Sequence, residues 1–141
     1  MTQAIPKIAV VGGTQYIGQT YYDIIARSLD ELCKERGWIT EEEPEINNFL
    51  PQVTVISAGL KGIDALAVDW AVSRFCTFTA YLPKTLREYE NFDPFDPALV
   101  PIYRGMLKEG KPNYVVIFPG GEIAKRLAEE EGIEIIEASI E

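Results

Sequence analysis

Histidine is absent from all 141 residues. Its absence removes imidazole acid–base chemistry, a Ser-His-Asp triad and the usual zinc site. Cysteine is nearly absent. Cys33 and Cys76 stand far apart, without a metal-type spacing, and read as two reduced thiols of a cytosol; no metal and no cofactor is expected. Positive charge is scarce, with 13 Lys and Arg against 22 Asp and Glu and a net charge of -9. A nucleic-acid partner requires a basic face to neutralise phosphates, so none is expected. No apolar run is long enough to cross a membrane. The opening Met1-Thr2-Gln3-Ala4-Ile5-Pro6-Lys7 has no basic n-region and no cleavage site, which points to a cytoplasmic protein. Chemistry is left to carboxylates, Lys, Arg, Tyr, thiols and the backbone.

What is present is a repeated unit of strand, glycine turn and helix. The length suits a single domain over residues 1–141, and the hydrophobic fraction of 47% is ordinary for a folded chain. Lys7 to Val11 reads as a first strand, followed by Gly12-Gly13-Thr14-Gln15 and a helix from Gln19 to Glu35 with Tyr22, Ile25, Ala26, Leu29 and Leu32 at helical spacing. Gly37 suits the helix end. Trp38 to Gln52, with Glu41-Glu42-Glu43-Pro44, reads as a solvated loop. Val53 to Ser57 is a second strand, Ala58-Gly59-Leu60-Lys61-Gly62 a second turn, and Ile63 to Arg74 a helix with Ile63, Leu66, Ala67, Trp70 and Ala71 on one face. Cys76 to Leu82 reads as a third strand. An aromatic, proline-rich stretch from Lys84 to Asp96 follows, which suits a lid, a stacking surface or a contact face. Ala98 to Glu109 reads as a helix. Tyr114 to Phe118 is a further strand, Pro119-Gly120-Gly121 the third turn, Glu122 to Glu131 a helix, and Ile133 to Glu137 the closing strand.

Short strands that look buried on both faces, alternating with helices, predict an α/β Rossmann-like doubly wound, mainly parallel sheet of about five strands with helices on both faces and the first strand near its centre. In such sheets ligands sit beyond the carboxyl ends of the strands, where the strand order reverses. All three glycine turns follow strands and fall on that edge. Free N–H groups at a helix start favour an anion, and Lys61 is a candidate phosphate partner. Each feature also has a plain structural reading. The turns serve as tight connections, and exposed lysines are common. Acids such as Asp64 and Glu122 in a first helical turn are stabilised by the helix dipole by roughly 0.3–1 kcal/mol.

The residues Ser57-Ala58-Gly59-Leu60-Lys61-Gly62-Ile63-Asp64-Ala65-Leu66-Ala67, with Trp70-Ala71, resemble the G-x-x-G-x-D-x-x-A motif of the SLOG superfamily. Met106-Leu107 and Pro112 to Gly121 resemble its second motif. The order holds across nearly the whole chain and is most similar to a small stand-alone branch from bacteria and phages, distantly related to the Lonely Guy phosphoribohydrolases. The resemblance implies a Rossmann-like domain that binds a nucleotide-derived small molecule (NAD- or ADP-ribose-like, or a signalling nucleotide) for sensing or sequestration, as a homo-oligomer. On that reading Gly12, Gly13, Thr14, Gln15, Ser57, Gly59, Lys61, Gly62, Asp64, Arg104, Pro119, Gly120, Gly121 and Glu122 bind the ligand, Asp64 taking a ribose hydroxyl and Tyr81 or Tyr89 stacking on the base. The superfamily's hydrolases resemble P-G-G-x-G-T-x-x-E. Here Glu122-Ile123-Ala124-Lys125-Arg126 follows Gly121, so the Gly-Thr pair is missing and Arg126 holds the place of the acid. Retained glycines without that acid favour binding. The alternatives are cleavage of a nucleotide N-glycosidic bond with Glu122 as the catalytic carboxylate and Asp64 behind it, and a protein-interaction domain.

Overall fold

The computed structural model describes residues 5–39, 50–81 and 93–140. The acidic cluster at Glu41–Glu43, the N-terminal Met1–Ala4 and most of the aromatic stretch, including Tyr89, lie outside the described residues.

Nine elements follow one another: β1 Lys7–Val11, α1 Gln19–Arg36, β2 Thr54–Ser57, α2 Ile63–Ser73, β3 Thr77–Ala80, α3 Leu99–Gly110, β4 Tyr114–Ile117, α4 Glu122–Glu130 and β5 Glu134–Glu137. The strands form one parallel sheet in the order β3-β2-β1-β4-β5, so β1 is central, as the sequence predicts. Alternation along the central strands sorts their side chains into two cores. Ile8, Val10, Val55 and Val116 face α1 and α2, where Ile25, Leu29, Leu66 and Trp70 close over them. Ala9, Val11, Ile56, Val115 and Ile117 face α3 and α4, covered by Ile102, Met106, Ile123 and Leu127.

The expectation that every strand is buried on both faces fails at the edges. All four residues of β3 are exposed, and in β5 Glu134 and Glu137 are exposed while Ile135 and Ile136 are half-buried. These are the outer strands, each with a sheet neighbour on one side only. Helix α1 ends as predicted. Gly37 takes φ 72°, its N–H bonds Lys34 O at 3.3 Å, and the Trp38 N–H reaches back to Cys33 O at 2.8 Å. That paired ending satisfies two carbonyls the helix leaves open.

Helices α1 and α2 are also clamped by polar contacts. The Asp30 carboxylate accepts from Trp70 Nε1 at 2.9 Å and from Arg74 Nε and Nη2 at 3.0 and 2.7 Å. Two parallel bonds from one guanidinium fix both side chains. Asp30→Ala should lower stability by about 1–3 kcal/mol, because it strands the indole N–H as well as removing the ion pair. Urea unfolding measures it, and a loss below about 0.3 kcal/mol would show the clamp to be ornamental.

Candidate functional site

The sheet reverses its order at β1. The chain leaves β1 towards the α1–α2 layer, and α4 leaves β4 on the other side. The turns after β1, β2 and β4 meet at this point and bond to one another. The Gly13 N–H donates to Pro119 O at 2.9 Å, and the Ile63 N–H, at the start of α2, donates to Gly13 O at 3.2 Å. The β1 turn is therefore held between the other two.

Glycine is what allows this approach. A Cβ on Gly12 would lie 2.5 Å from Ile63 Cγ1, one on Gly62 would lie 2.3 Å from Gly13 O, and one on Gly120 would lie 2.6 Å from Gly13 Cα. The glycines that the sequence offered as a phosphate cradle thus also pack the turns together, and the Gly13 and Ile63 amides already have acceptors. Ser57 acts inside the second turn. Its hydroxyl donates to Asp64 O at 3.2 Å and accepts from the Gly59 N–H at 3.0 Å.

Asp64 is fully buried. Its Oδ2 accepts from the Tyr103 hydroxyl at 3.1 Å, and its Oδ1 has no partner within hydrogen-bond geometry among the described residues. Burial pushes its carboxyl up to about 8; the Tyr103 hydroxyl and, after it, the Gly12 and Asp64 backbone N–H groups pull the other way. The simple picture of a charged acid favoured by the helix dipole is thereby overridden. A dipole effect of roughly 0.3–1 kcal/mol is small beside the cost of taking an ionised carboxylate out of water. With no exposed surface, Asp64 is also out of reach of a ribose unless the turns open.

The other candidates divide. Gln15 and Glu122 are exposed at the sheet's carboxyl edge, Lys61 is half-buried in the second turn, and Thr14 is buried in the first. Arg104 is not brought to this edge. It lies on the exposed side of α3 with its guanidinium 3.9 Å from Glu130, near the far end of α4. Tyr81 leans into the α3–α4 core, where a Cβ on Gly110 would sit 3.3 Å from its ring. It does not stand free to stack.

Between the start of α1 and α2 is a cavity of about 330 Å³ lined by Gly18, Gln19, Tyr22, Leu66 and Asp69. The first turn of α1 has no acidic residue and no side-chain cap, so its leading N–H groups keep their positive end. A larger cavity of about 440 Å³ lies at the opposite edge of the sheet, beside Trp38 and Tyr114. Its walls Ile5 and Ile39 adjoin segments outside the described residues, and it lies at the amino ends of the strands, away from the edge where ligands of such sheets sit. Sequence reasoning missed Tyr22, Asp69 and Tyr103. Tyr103 falls on the apolar stripe of α3 with Leu99, Ile102 and Met106, and nothing in that spacing reveals that its hydroxyl has a partner.

Among the described residues no helix is long and apolar enough to cross a membrane, and no cluster of His, Cys, Asp or Glu could hold a metal ion. No protein-family model matches the chain, and no curated protein matches it. A solved structure does: DNA processing protein A (DprA) from Streptococcus pneumoniae, at 17% identity and TM-score 0.57, over 94% of this chain and 50% of that one. The chain thus spans half the length of the protein it matches. At that identity the shared property is the fold, a Rossmann-like α/β sheet, which here has five parallel strands built around β1.

Proposed function

We propose that this chain binds a nucleotide-derived small molecule at the carboxyl edge of its sheet, as a sensor or sequestering domain of the small stand-alone SLOG branch. The observation that carries the reading is the uncapped start of α1, the helix that follows the central strand β1, opening into a cavity it shares with Leu66 and Asp69 of α2. A phosphate would sit against the first N–H groups of α1, with Gln15 and Lys61 near enough in the chain to the two turns to add side-chain contacts. Nucleic acid, which the name of the matched protein brings to mind, fits poorly with a net charge of -9. Hydrolysis would have to rest on Glu122, because Asp64 is sealed.

A thermal-shift screen with AMP, NAD, ADP-ribose, cyclic ADP-ribose isomers and cyclic dinucleotides, each mixture then run on HPLC, tests this. A ligand at a hundredfold excess over Kd should raise Tm by on the order of 5–10 °C and return intact. Free base in the eluate would transfer the reading to hydrolysis. No shift with any compound would overturn both.

A designed acid separates the α1 site from the rest of the edge. Thr20→Asp places a carboxylate in the first turn of α1. It should stabilise the free protein by about 0.5 kcal/mol and weaken an anionic ligand by about tenfold or more. Unchanged affinity in this variant would move the ligand away from α1.

A further inference from the structure

Asp64 is the buried ionisable group at this edge that ligand binding does not use. Tyr103 approaches it from α3, on the face of the sheet opposite to α2, so their contact reaches over the carboxyl ends of the strands. The groups acting on the carboxyl are Tyr103 from α3, the Gly12 N–H from the β1 turn and its own N–H in α2. The β2 turn sends Ser57 to the Asp64 carbonyl and not to the carboxyl. No charged side chain of the described residues on α1, α3 or α4 sets its ionisation. An ionised carboxylate here would be fully buried with one oxygen lacking a hydrogen bond from the described residues, whereas a neutral acid in the same place costs much less to take out of water.

The next residue back is Ile63, whose N–H ties α2 to Gly13. To solvate a carboxylate at Asp64 the first turn of α2 must lift, and lifting it breaks that tie. We propose that Asp64 is a proton-linked latch: in the folded protein it stands as the neutral acid that keeps the three turns closed on one another, and its ionisation loosens them. A consequence rests on the function proposed above. An anion near the β1 turn is repelled by an Asp64 carboxylate and not by the acid, so its binding takes up a proton and weakens as the pH rises. Asp64 is then a positioning residue, acting through the junction and touching no ligand.

The test is amide hydrogen exchange on the whole protein without ligand, from about pH 6 to about pH 9.5, in the wild type, Asp64→Asn and Tyr103→Phe. After correction for intrinsic exchange, protection of the Gly13 and Ile63 amides should fall about tenfold or more across the titration in the wild type and stay level in Asp64→Asn. Tyr103→Phe removes the donor that favours the ionised form, so its midpoint should move to higher pH. Infrared spectra should show the C=O stretch of a protonated acid at neutral pH in the wild type and not in Asp64→Asn. Protection that stays level in the wild type, the same fall in Asp64→Asn, or no protonated-acid band would each overturn the latch. AMP, as probe, should bind the wild type more weakly as the pH rises; a pH-independent Kd would overturn the coupling to ligand. If AMP and the other nucleotides bind at no pH, the functional reading fails, while exchange and infrared still decide the latch.

Discussion

Gly62→Ala should be among the most destabilising single substitutions in this protein, at about 4 kcal/mol or more. Gly62 takes φ 89° and ψ -139°, a conformation that L side chains rarely adopt, and holding a non-glycine residue there costs about 1–3 kcal/mol. The added Cβ would also lie 2.3 Å from Gly13 O, 2.6 Å from Thr14 Cα and 2.8 Å from Thr14 C. These are backbone atoms of the neighbouring turn, which cannot swing aside as a flexible side chain would. Moving them breaks the Ile63–Gly13 hydrogen bond and, through Gly13, the bond to Pro119. Together the losses come to about 4 kcal/mol or more, against a total stability of about 5–15 kcal/mol for a domain of ordinary size. The chain contains its own control. Gly105 is in the interior of α3, and a Cβ there would meet none of the described residues within 4 Å. Gly105→Ala should therefore stabilise, by about 0.5–1 kcal/mol, through helix propensity and a less free unfolded chain. Urea midpoints of the two variants should move in opposite directions. A Gly62→Ala protein within about 1 kcal/mol of the wild type would mean that the turns are not packed as described.

Asp64→Asn should make stability less dependent on pH, and the two stability curves should cross. The folded carboxyl is pushed up to about 8 from an ordinary 3.8. Between about pH 4 and about pH 8 the folded protein therefore holds a proton that the unfolded chain has released. The stability conferred by this proton is complete below about pH 4 and is lost as the pH rises through about 8, with a slope of up to about 1.4 kcal/mol per pH unit. Water entering on ionisation lessens the slope, but a third of it still amounts to about 2 kcal/mol across the window. Asparagine has the same shape, keeps an oxygen for the Tyr103 hydroxyl and has no proton to lose. Its NH₂ group finds no acceptor where Oδ1 lies, a cost of about 1–3 kcal/mol. The variant should be less stable than the wild type near pH 5 and more stable near pH 9. Parallel curves over that range would refute the account of the buried acid.

How far the sequence was legible varied with the range of the interaction. Lys7 to Val11 and Tyr114 to Ile117 stand where their apolar runs put them, and Gly37 ends α1 as a glycine after a periodic run should. Those are local signals. The exposure of β3 was not legible, because Thr77 to Ala80 looks the same in the middle of a sheet as at its margin, and only strand order decides which it is. Arg104 is adjacent to Tyr103 in sequence, yet one pairs with Glu130 on the surface and the other with Asp64 inside, as the two sides of a helix require. Asp64 looked like a first-turn acid or a ligand contact because its environment comes from a residue on another helix. The glycine turns were read correctly as converging, but a sequence does not say what occupies the space of a missing Cβ. Here part of it is filled by the neighbouring turn.

The two cores differ in when the ribosome can complete them. The layer under α1 and α2 draws on residues up to Ala71, with Val116 from β4 and Phe118 just after it added later. The opposite layer is roofed by α3 and α4, between Leu99 and Ala128. A nascent chain that has emerged only as far as β3 can close one side of its sheet, while Ala9, Val11 and Ile56 on the other side have nothing yet to pack against. The central strand is made first, but its neighbour β4 comes more than a hundred residues later, as the pairing of Ile8 with Tyr114 records. During synthesis the half-built sheet therefore presents an apolar face that trigger-type chaperones would recognise, and slowing translation between β3 and α3 should increase aggregation of this chain more than slowing it after α4.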